Sequence, residues 1–241
     1  MPSTKTKFLS KSATLYVKLR KFEKAKNLPK DFTITCHAGA MRTKPNSLDS
    51  VRESVEWGAD IVEFDVSFRP DGTPVIIHDS NPSAKQGELL DNALKIVAES
   101  KSCKINLDIK STKNLAEVDK LVKKHGLFER VFYTGVFADW VETVKRTSEI
   151  PYYLNHSVTE EEANDKAKSV AIAEKAKKLG ACGINSNLRN ATNLFVDTMH
   201  ENGLPVSLWT ANSPKNMIKA LKTKPDNITT KKPNILKELI K

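Results

Sequence analysis

The sequence predicts an α/β fold, a single-domain (β/α)8 barrel of the TIM type in which eight parallel strands alternate with helices. Three observations predict it. Short β-rich runs alternate with helix-length stretches from residue 31 onward, which is typical of a parallel sheet. Gly126, Gly180 and Gly203 follow the ends of helical stretches, where glycine commonly caps a helix. No change of composition divides this region, so we expect one domain over residues 31–241.

The predicted elements follow one another at short intervals. The strands are Thr33–His37, Ile61–Val66, Val75–His78, Ile105–Ile109, Val131–Thr134, Tyr152–Leu154, Cys182–Asn185, Val206–Thr210 and Ile228–Thr230. The helices are Ser47–Trp57, Leu89–Glu99, Leu115–Lys124, Asp139–Thr147, Glu160–Leu179, Ala191–Asn202 and Pro214–Leu221. These nine runs are one more than an eight-stranded barrel contains.

The extra strand belongs to a β-hairpin after the second strand. Asp71 and Gly72 form the dipeptide that marks a tight hairpin turn. A parallel return would need a crossover of about a dozen residues, and this segment is shorter. Val75–His78 is therefore predicted to fold back antiparallel on Ile61–Val66, which leaves eight parallel strands. In such barrels the chemistry lies at the C-terminal ends of the strands.

The charge of the chain is concentrated at one end. Of 39 Lys and Arg residues, nine lie in residues 1–30 with a single acid, so this extension carries +8 of the net +10. The rest of the chain is nearly neutral, which excludes a basic groove, and we expect no nucleic-acid partner. No stretch reaches the roughly 20 apolar residues that span a bilayer.

The basic extension, residues 1–30, is predicted to be helical. Phe8, Leu15, Leu19 and Phe22 lie near one face, and we expect this helix to close the bottom of the barrel with its lysines in solvent. A second interpretation is a surface helix that contacts an anionic partner. A third, looser one is an organelle transit segment, whereas the apolar core of a secretory signal is missing.

Three cysteines lie far apart in the sequence, at Cys36, Cys103 and Cys182. Their number and spacing exclude a disulfide scaffold and a clustered zinc site. Reduced thiols are typical of the cytoplasm, where we expect the protein to act. The sequence leaves the oligomeric state open.

Acidic side chains lie near the ends of two predicted strands. Glu63 and Asp65 are two residues apart and point to the same face of their strand, and Asp108 lies in the next parallel strand. Buried carboxylates repel one another unless a cation neutralises them. Oxygen ligands suit a hard divalent cation, so the three residues predict a site for Mg²⁺ or Ca²⁺.

Other polar and aromatic residues are expected at the same end of the barrel. They are His37, His78, Lys110 and Trp209. Taken singly, a strand-end histidine is more often structural, Lys110 could simply offset Asp108, and Trp209 could be packing. Their joint position at neighbouring strand ends favours a catalytic site.

Several segments resemble the glycerophosphodiester phosphodiesterase family. They are His37-Ala38-Gly39, Pro45-Asn46-Ser47, Gly58 to Val66, Asp71 to Asp79, Leu107 to Lys110, Gly183-Ile184-Asn185, Trp209 to Asn212 and Ile228-Thr229-Thr230. The resemblance covers about residues 31–235. The acidic pair followed by Asp-Gly and His-Asp is its most specific part.

The resemblance implies a barrel enzyme that hydrolyses glycerophosphodiesters to an alcohol and glycerol phosphate. It implies His37 and His78 as an acid–base pair, and Glu63, Asp65 and Asp108 as ligands of a divalent cation. Lys110, Asn46 and Trp209 are then predicted substrate contacts. In this family the attacking group is thought to be the neighbouring hydroxyl of the substrate, which gives a cyclic phosphate.

The chain departs from the family pattern at three places. Ala38 stands where the family has an arginine, Asp108 stands where it usually has Glu, and the segment between His78 and Asp108 is short. The short segment implies a more open pocket, which would suit a second hypothesis: a cyclising enzyme like lysophospholipase D or sphingomyelinase D. The missing arginine would suit a third, a catalytically weak phosphoester-binding protein.

Overall fold

The architecture is that of a computed structural model, which describes residues 4–20, 22, 25 and 27–240. Within the first helix, the side chains of residues 5–7, 10 and 19 are not described. The predicted apolar position Leu19 therefore lies outside the described side chains. The charges of the extension at Lys5, Lys7, Lys21, Glu23, Lys24 and Lys26 lie outside them as well.

Eight parallel strands form a closed ring because the first strand pairs with both the second and the last strand. Its residues Thr35 and Cys36 pair with Ile61 and Val62, and Thr33–Cys36 pair with Asn227–Thr230. The ring strands are β1 (Thr33–Cys36), β2 (Ile61–Phe68), β5 (Lys104–Ile109), β6 (Val131–Val136), β7 (Tyr152–Asn155), β8 (Gly183–Asn187), β9 (Val206–Trp209) and β10 (Asn227–Thr230). The predicted (β/α)8 barrel is confirmed.

Two further strands lie outside the ring. Strand β3 (Pro74–Ile76) pairs antiparallel with β2, with Val66 opposite Ile76, which confirms the predicted hairpin. Strand β4 (Glu88–Leu89) pairs antiparallel with β3 and is not among the predicted elements, since two residues show no alternating pattern. The hairpin return ends at Ile76, so His78 lies in the loop beyond it.

Helices cover the outside of the ring. They are α1 (Thr4–Arg20), α2 (Leu48–Trp57), α3 (Leu90–Ala98), α4 (Leu115–Lys124), α5 (Val141–Thr147), α6 (Glu160–Asn164), α7 (Lys166–Leu179), α8 (Asn193–Glu201), α9 (Pro214–Lys222) and α10 (Pro233–Ile240). The predicted helix Glu160–Leu179 is two helices, because Asp165 leaves the helical conformation and its side chain caps α7 by accepting from the Lys168 N–H. Helix α10 was not among the predicted helices.

Helix α1 packs along the side of the barrel against α10. The Asn234 side chain in the first turn of α10 donates to the Leu9 carbonyl at 3.0 Å, and the Ala25 N–H donates to the Leu239 carbonyl at 2.9 Å. The two segments therefore run in the same direction, beginning near the C-terminal end of β10. Helix α1 therefore lies along the side of the barrel, and the expectation that this helix closes the bottom is wrong.

The apolar face of α1 that packs against the barrel is also not the predicted one. Ala13 and Val17 are buried, with Leu9 packed against the core, at the four-residue spacing of one helix face. Of the predicted apolar positions, Phe8 and Leu15 are 67% and 57% exposed, whereas Phe22, beyond the end of α1, packs against the core. Both sets of apolar residues have helical spacing, and the packing of α1 against the barrel determines which set is buried.

Among the described residues no helix is long and apolar enough to cross a membrane.

Candidate active site

A cavity of about 660 Å³ opens at the C-terminal end of the barrel. Every ring strand, or the residue directly after it, contributes to its wall. The site residues that the sequence predicts and that line it are His37, Glu63, Asp65, His78, Asp108, Lys110 and Trp209. Seven of the eight site residues that were predicted from their positions at strand ends or from the family resemblance thus line one cavity. Asn46 is the exception.

The three acidic residues form one cluster. Asp65 and Asp108 are direct partners in the register of β2 and β5, and Glu63 points to the same face as Asp65. Each residue offers a carboxylate oxygen, and these oxygens lie within 4.8 Å of one another. The predicted convergence of the acidic side chains is confirmed, and their role as cation ligands stays a prediction.

Backbone and side-chain donors hold two of these carboxylates. The Ala38 N–H donates to Glu63 Oε2 at 2.8 Å. Asn46 donates from Nδ2 to Asp65 Oδ2 at 2.6 Å and accepts from the Asp65 N–H at 3.0 Å. Both ends of the Asn46 amide are thus engaged by Asp65, which indicates a positioning residue. The predicted contact of Asn46 with substrate stays a prediction.

The third carboxylate occupies space that a glycine leaves open. A Cβ atom at Gly135 would lie 2.5 Å from Asp108 Oδ1 and 2.4 Å from the Ile109 carbonyl oxygen, and its φ of +76° is also unfavourable for other residues. Thr134 Oγ1 lies 3.2 Å from Asp108 Oδ1 and 2.8 Å from Asn106 Oδ1. Strand β6 therefore positions Asp108 through one missing side chain and one hydroxyl.

One lysine faces all this negative charge. Lys110 Nζ lies 2.9 Å from Asp65 Oδ1 and 2.6 Å from Asp108 Oδ2. Burial disfavours the ammonium, but the carboxylates of Asp108 and Asp65 outweigh it and raise the pKa of Lys110. Burial, followed by the charges of Asp65 and Asp108, raises the pKa of Glu63 well above its ordinary value. Burial also raises the pKa of Asp108, against the opposing effect of Lys110.

The cluster fits a hard divalent cation. Three clustered carboxylates paired with one lysine, Lys110, leave a net negative charge. Burial, together with the neighbouring carboxylates, raises the pKa of Glu63 and Asp108. All donors are oxygens, and Mg²⁺ and Ca²⁺ prefer oxygen ligands. Glu63, Asp65 and Asp108 are the residues that could hold such a cation.

The two histidines differ in their surroundings. His37 is half-buried, and its Nδ1 lies 3.1 Å from the Ala38 carbonyl oxygen. Because a carbonyl can only accept, Nδ1 carries the proton and Nε2 carries the lone pair. Burial lowers the pKa of His37, and the charge of Lys231 lowers it further, against the effects of the Ala38 carbonyl and Asp65. His78 is exposed in the loop after β3 and lines the same cavity.

Sequence reasoning missed several residues of this wall. The main ones are Lys231, Phe137, Trp140, Asn155 and Asn185. Lys231 follows Thr230, the last residue of β10, so the strand-end rule could have found it. Phe137 and Trp140 lie beyond the end of β6, and their rings meet edge to face at 6.2 Å. No motif marks them, because only the fold turns that loop toward the cavity.

These features define a class of protein: a (β/α)8 barrel whose C-terminal mouth holds a cluster of three carboxylates, a lysine and two histidines. The chain matches the model of the glycerophosphoryl diester phosphodiesterase family over residues 37–85 and 83–235. It belongs to that family.

Solved structures share the fold of this chain. A glycerophosphodiester phosphodiesterase from Parabacteroides distasonis is 19% identical with a TM-score of 0.69, covering 90% of this chain and 97% of its own. An Oleispira antarctica phosphodiesterase in complex with the product sn-glycerol-3-phosphate is 18% identical with a TM-score of 0.69, covering 88% and 96%. The enzyme from Thermotoga maritima is 17% identical with a TM-score of 0.67, covering 86% and 98%. No curated protein sequence matches the chain.

We expect Mg²⁺ and Ca²⁺ to bind more weakly as the pH falls. A carboxyl group with a raised pKa is still partly protonated where an ordinary carboxylate is ionised, so protons compete with the cation for Glu63 and Asp108. Calorimetric titration in buffers of different ionisation enthalpy would measure both the affinity and the protons released.

Glu63→Gln should weaken the binding by more than about tenfold and reduce the proton release. Asp197→Asn, on the exposed side of α8, is the matched control and should change neither quantity. Equal affinity at mildly acidic and neutral pH would contradict the expectation.

Proposed function

We propose that this protein is a cation-dependent phosphodiesterase that cleaves glycerophosphodiesters to an alcohol and a glycerol phosphate by two-histidine acid–base catalysis. Family membership supports the reaction class. The single observation that carries the mechanism is the convergence of the carboxylate cluster, Lys110 and both histidines on one cavity.

His37 is proposed as the general base. Its Nδ1–H donates to the Ala38 carbonyl, which leaves the Nε2 lone pair for a proton. Burial keeps the imidazole neutral at pH 7, since it lowers the pKa of His37 below its ordinary value of 6.5. His37 takes the proton of the attacking hydroxyl as the new P–O bond forms.

His78 is proposed as the general acid. Its exposed position in the loop after β3 lets it protonate the oxygen of the departing alcohol as the old P–O bond breaks. When the attacking hydroxyl is the neighbouring hydroxyl of the substrate, this step releases the alcohol and leaves a cyclic phosphate. Water then opens the ring: His78 takes the proton of the water and His37 protonates the ring oxygen, which restores both histidines and gives the glycerol phosphate.

Charge on the phosphoryl group needs positive partners. A divalent cation bound by Glu63, Asp65 and Asp108 would supply Lewis-acid stabilisation of the phosphoryl oxygens. Lys110 contacts two of the same carboxylates and lies in the same cavity, so it would add a second positive charge near the phosphate.

Lys231 is proposed as a further phosphate contact. Its main-chain N–H donates to Asn212, and among the described residues no hydrogen bond or ion pair engages its ammonium group. Lys110 is paired with carboxylates, whereas Lys231 is unpaired at the edge of the cavity. Ala38, at the position where the family has arginine, is buried, and Arg42 does not line this cavity. Lys231 is therefore the cation best placed to compensate for the missing arginine.

Product analysis over a panel of substrates tests the function. We expect glycerophosphocholine to yield choline and a glycerol phosphate in the presence of Mg²⁺ or Ca²⁺, and exhaustive chelation should abolish turnover. Mass spectrometry or NMR would identify the products and any cyclic phosphate. Binding of the diester without turnover under all metal conditions would instead support a phosphoester-binding protein.

His37→Ala and His78→Ala should each lower kcat by about 10²–10⁴-fold with little change in KM. The two variants should differ in their response to the leaving group. With the p-nitrophenyl ester of glycerol 3-phosphate, which keeps the neighbouring hydroxyl but whose departing phenolate needs little protonation, His78→Ala should lose much less activity than with glycerophosphocholine, while His37→Ala should lose similar activity with both.

The matched control is His125→Ala. The imidazole of His125 lies 2.8 Å from Asp91 Oδ1 and does not line the active-site cavity. This variant should leave kcat unchanged. Equal losses of the His78 variant with both leaving groups would exclude the proposed acid role.

Lys231→Gln should raise KM for a small diester by about tenfold, the effect of one lost charge-assisted contact. It should also shift the acidic limb of the pH profile of kcat/KM to higher pH. The sign follows because the charge of Lys231 lowers the pKa of His37, and its removal lets that pKa rise. Steady-state kinetics over a range of pH, with exposed Lys222→Gln as control, measure both effects. An unchanged KM would show that Lys231 does not meet the phosphate.

A further inference from the structure

A second cavity of about 610 Å³ lies between α1 and the mouth of the barrel. Leu9, Ala13 and Tyr16 of α1 form one wall, and Met41 and Ile235 belong to the opposite wall. Most of the surface is therefore apolar. Its volume is within the range of about 300–1,000 Å³ that small-molecule sites usually have.

The polar groups of this cavity are basic. Arg42, Lys231 and Lys232 all line it, and the structure places no acidic side chain among its described lining residues. An apolar chamber with a cationic edge is complementary to a ligand that joins an apolar chain to an anionic group.

The second cavity adjoins the active site. Lys231 lines both cavities, and Gly39, two residues after His37, lines the second one. Its barrel-side residues follow β1 and β10 or begin α9, so they lie at the C-terminal end of the ring, where the active-site cavity opens. A molecule with its phosphate near Lys231 could extend from one cavity into the other.

We propose that this second cavity binds the acyl chain of a single-chain glycerophospholipid whose phosphodiester lies at the active site. The proposal rests on the proposed phosphodiesterase function and specifies its substrate class as lysophospholipids. The headgroup ester is cleaved as described above, while the acyl chain lies between α1 and the barrel. Helix α1 is then a part of the substrate site.

The occupant follows from the chemistry of the walls. A free glycerophosphodiester has no apolar portion, so it gains nothing from Leu9, Ala13 and Met41. A planar polar ligand such as a nucleotide would leave its donors and acceptors unpaired against them. An alkyl chain loses only its contact with water there, and each buried methylene should strengthen binding about fourfold.

The test compares glycerophosphocholine with lysophosphatidylcholines of increasing chain length, each below the concentration at which it forms micelles. We expect kcat/KM to rise by about fourfold for each added methylene until the cavity is filled. Working with monomeric substrate separates binding in the cavity from attraction to a lipid surface.

Ser12→Trp is the main variant, because Ser12 lies on the exposed side of α1 and lines the cavity. The indole should occupy part of the cavity that the acyl chain needs and lower kcat/KM for the longest substrate by about tenfold or more, with glycerophosphocholine turnover unchanged. Ser12→Glu, which places a carboxylate against the same walls, should have the same effect by a different cause. Leu15→Trp puts the same indole on α1 at an exposed position that does not line the cavity, and should change neither activity.

Three results would overturn the proposal. The first is a kcat/KM that does not depend on chain length. The second is loss of activity toward both glycerophosphocholine and lysophosphatidylcholine in Ser12→Trp and Ser12→Glu, while Leu15→Trp retains both activities. The third is a chain-length effect that arises only above the micellar concentration. The last would assign α1 to a lipid surface.

If no substrate is turned over, direct binding of a non-hydrolysable lysophospholipid analogue to the wild type and the Ser12 variants still tests the cavity. Failure of the proposed function is thereby distinguished from failure of this inference.

Discussion

Three carboxylates share the mouth of this barrel with one paired ammonium group, and the surrounding structure is arranged around that imbalance. Their oxygens lie within 4.8 Å of one another. Such a cluster is unfavourable in a partly desolvated site unless donors and cations approach it. The Ala38 N–H, the Asn46 amide, the Thr134 hydroxyl and Lys110 all do so. Gly135 contributes by leaving the space that Asp108 occupies. The register of β2 and β5, which puts Asp65 beside Asp108, therefore brings two of the three carboxylates together.

The distribution of the remaining positive charge separates two tasks. Lys110 balances the carboxylates directly, and it therefore lies in the proposed cation site as well as in the proposed substrate site. Lys231 has no such partner among the described residues and lies where the two cavities meet. The same side chain lowers the pKa of His37. A single lysine after the last strand thus lies near the proposed general base, the proposed phosphate site and the apolar cavity beside α1.

The elements of the fold were predictable to the degree that their patterns are local. The hairpin at Asp71-Gly72 follows from turn chemistry and the shortness of the connection, and the structure confirms it. The division of Glu160–Leu179 at Asp165 was missed because a run of good helix formers hides a capping residue. The packed face of α1 was also missed. Two apolar sets have helical spacing there, and the packing of α1 against the barrel turns Leu9, Ala13 and Val17 toward the core while leaving Phe8 and Leu15 in solvent.

The sequence by itself determined the barrel and the residue types at its mouth. Both follow from local patterns, since strands alternate with helices along the chain and the site residues stand at the ends of predicted strands. His37, Glu63, Asp65, His78, Asp108, Lys110 and Trp209 were all found in this way. Only the tertiary structure decided what those residues contact. It engaged Asn46 with Asp65, brought Lys231 to the edge of the active site, and laid α1 beside the mouth so that a second cavity formed. Contacts of this kind depend on distances between segments far apart in the chain, and the local pattern of a sequence does not contain those distances.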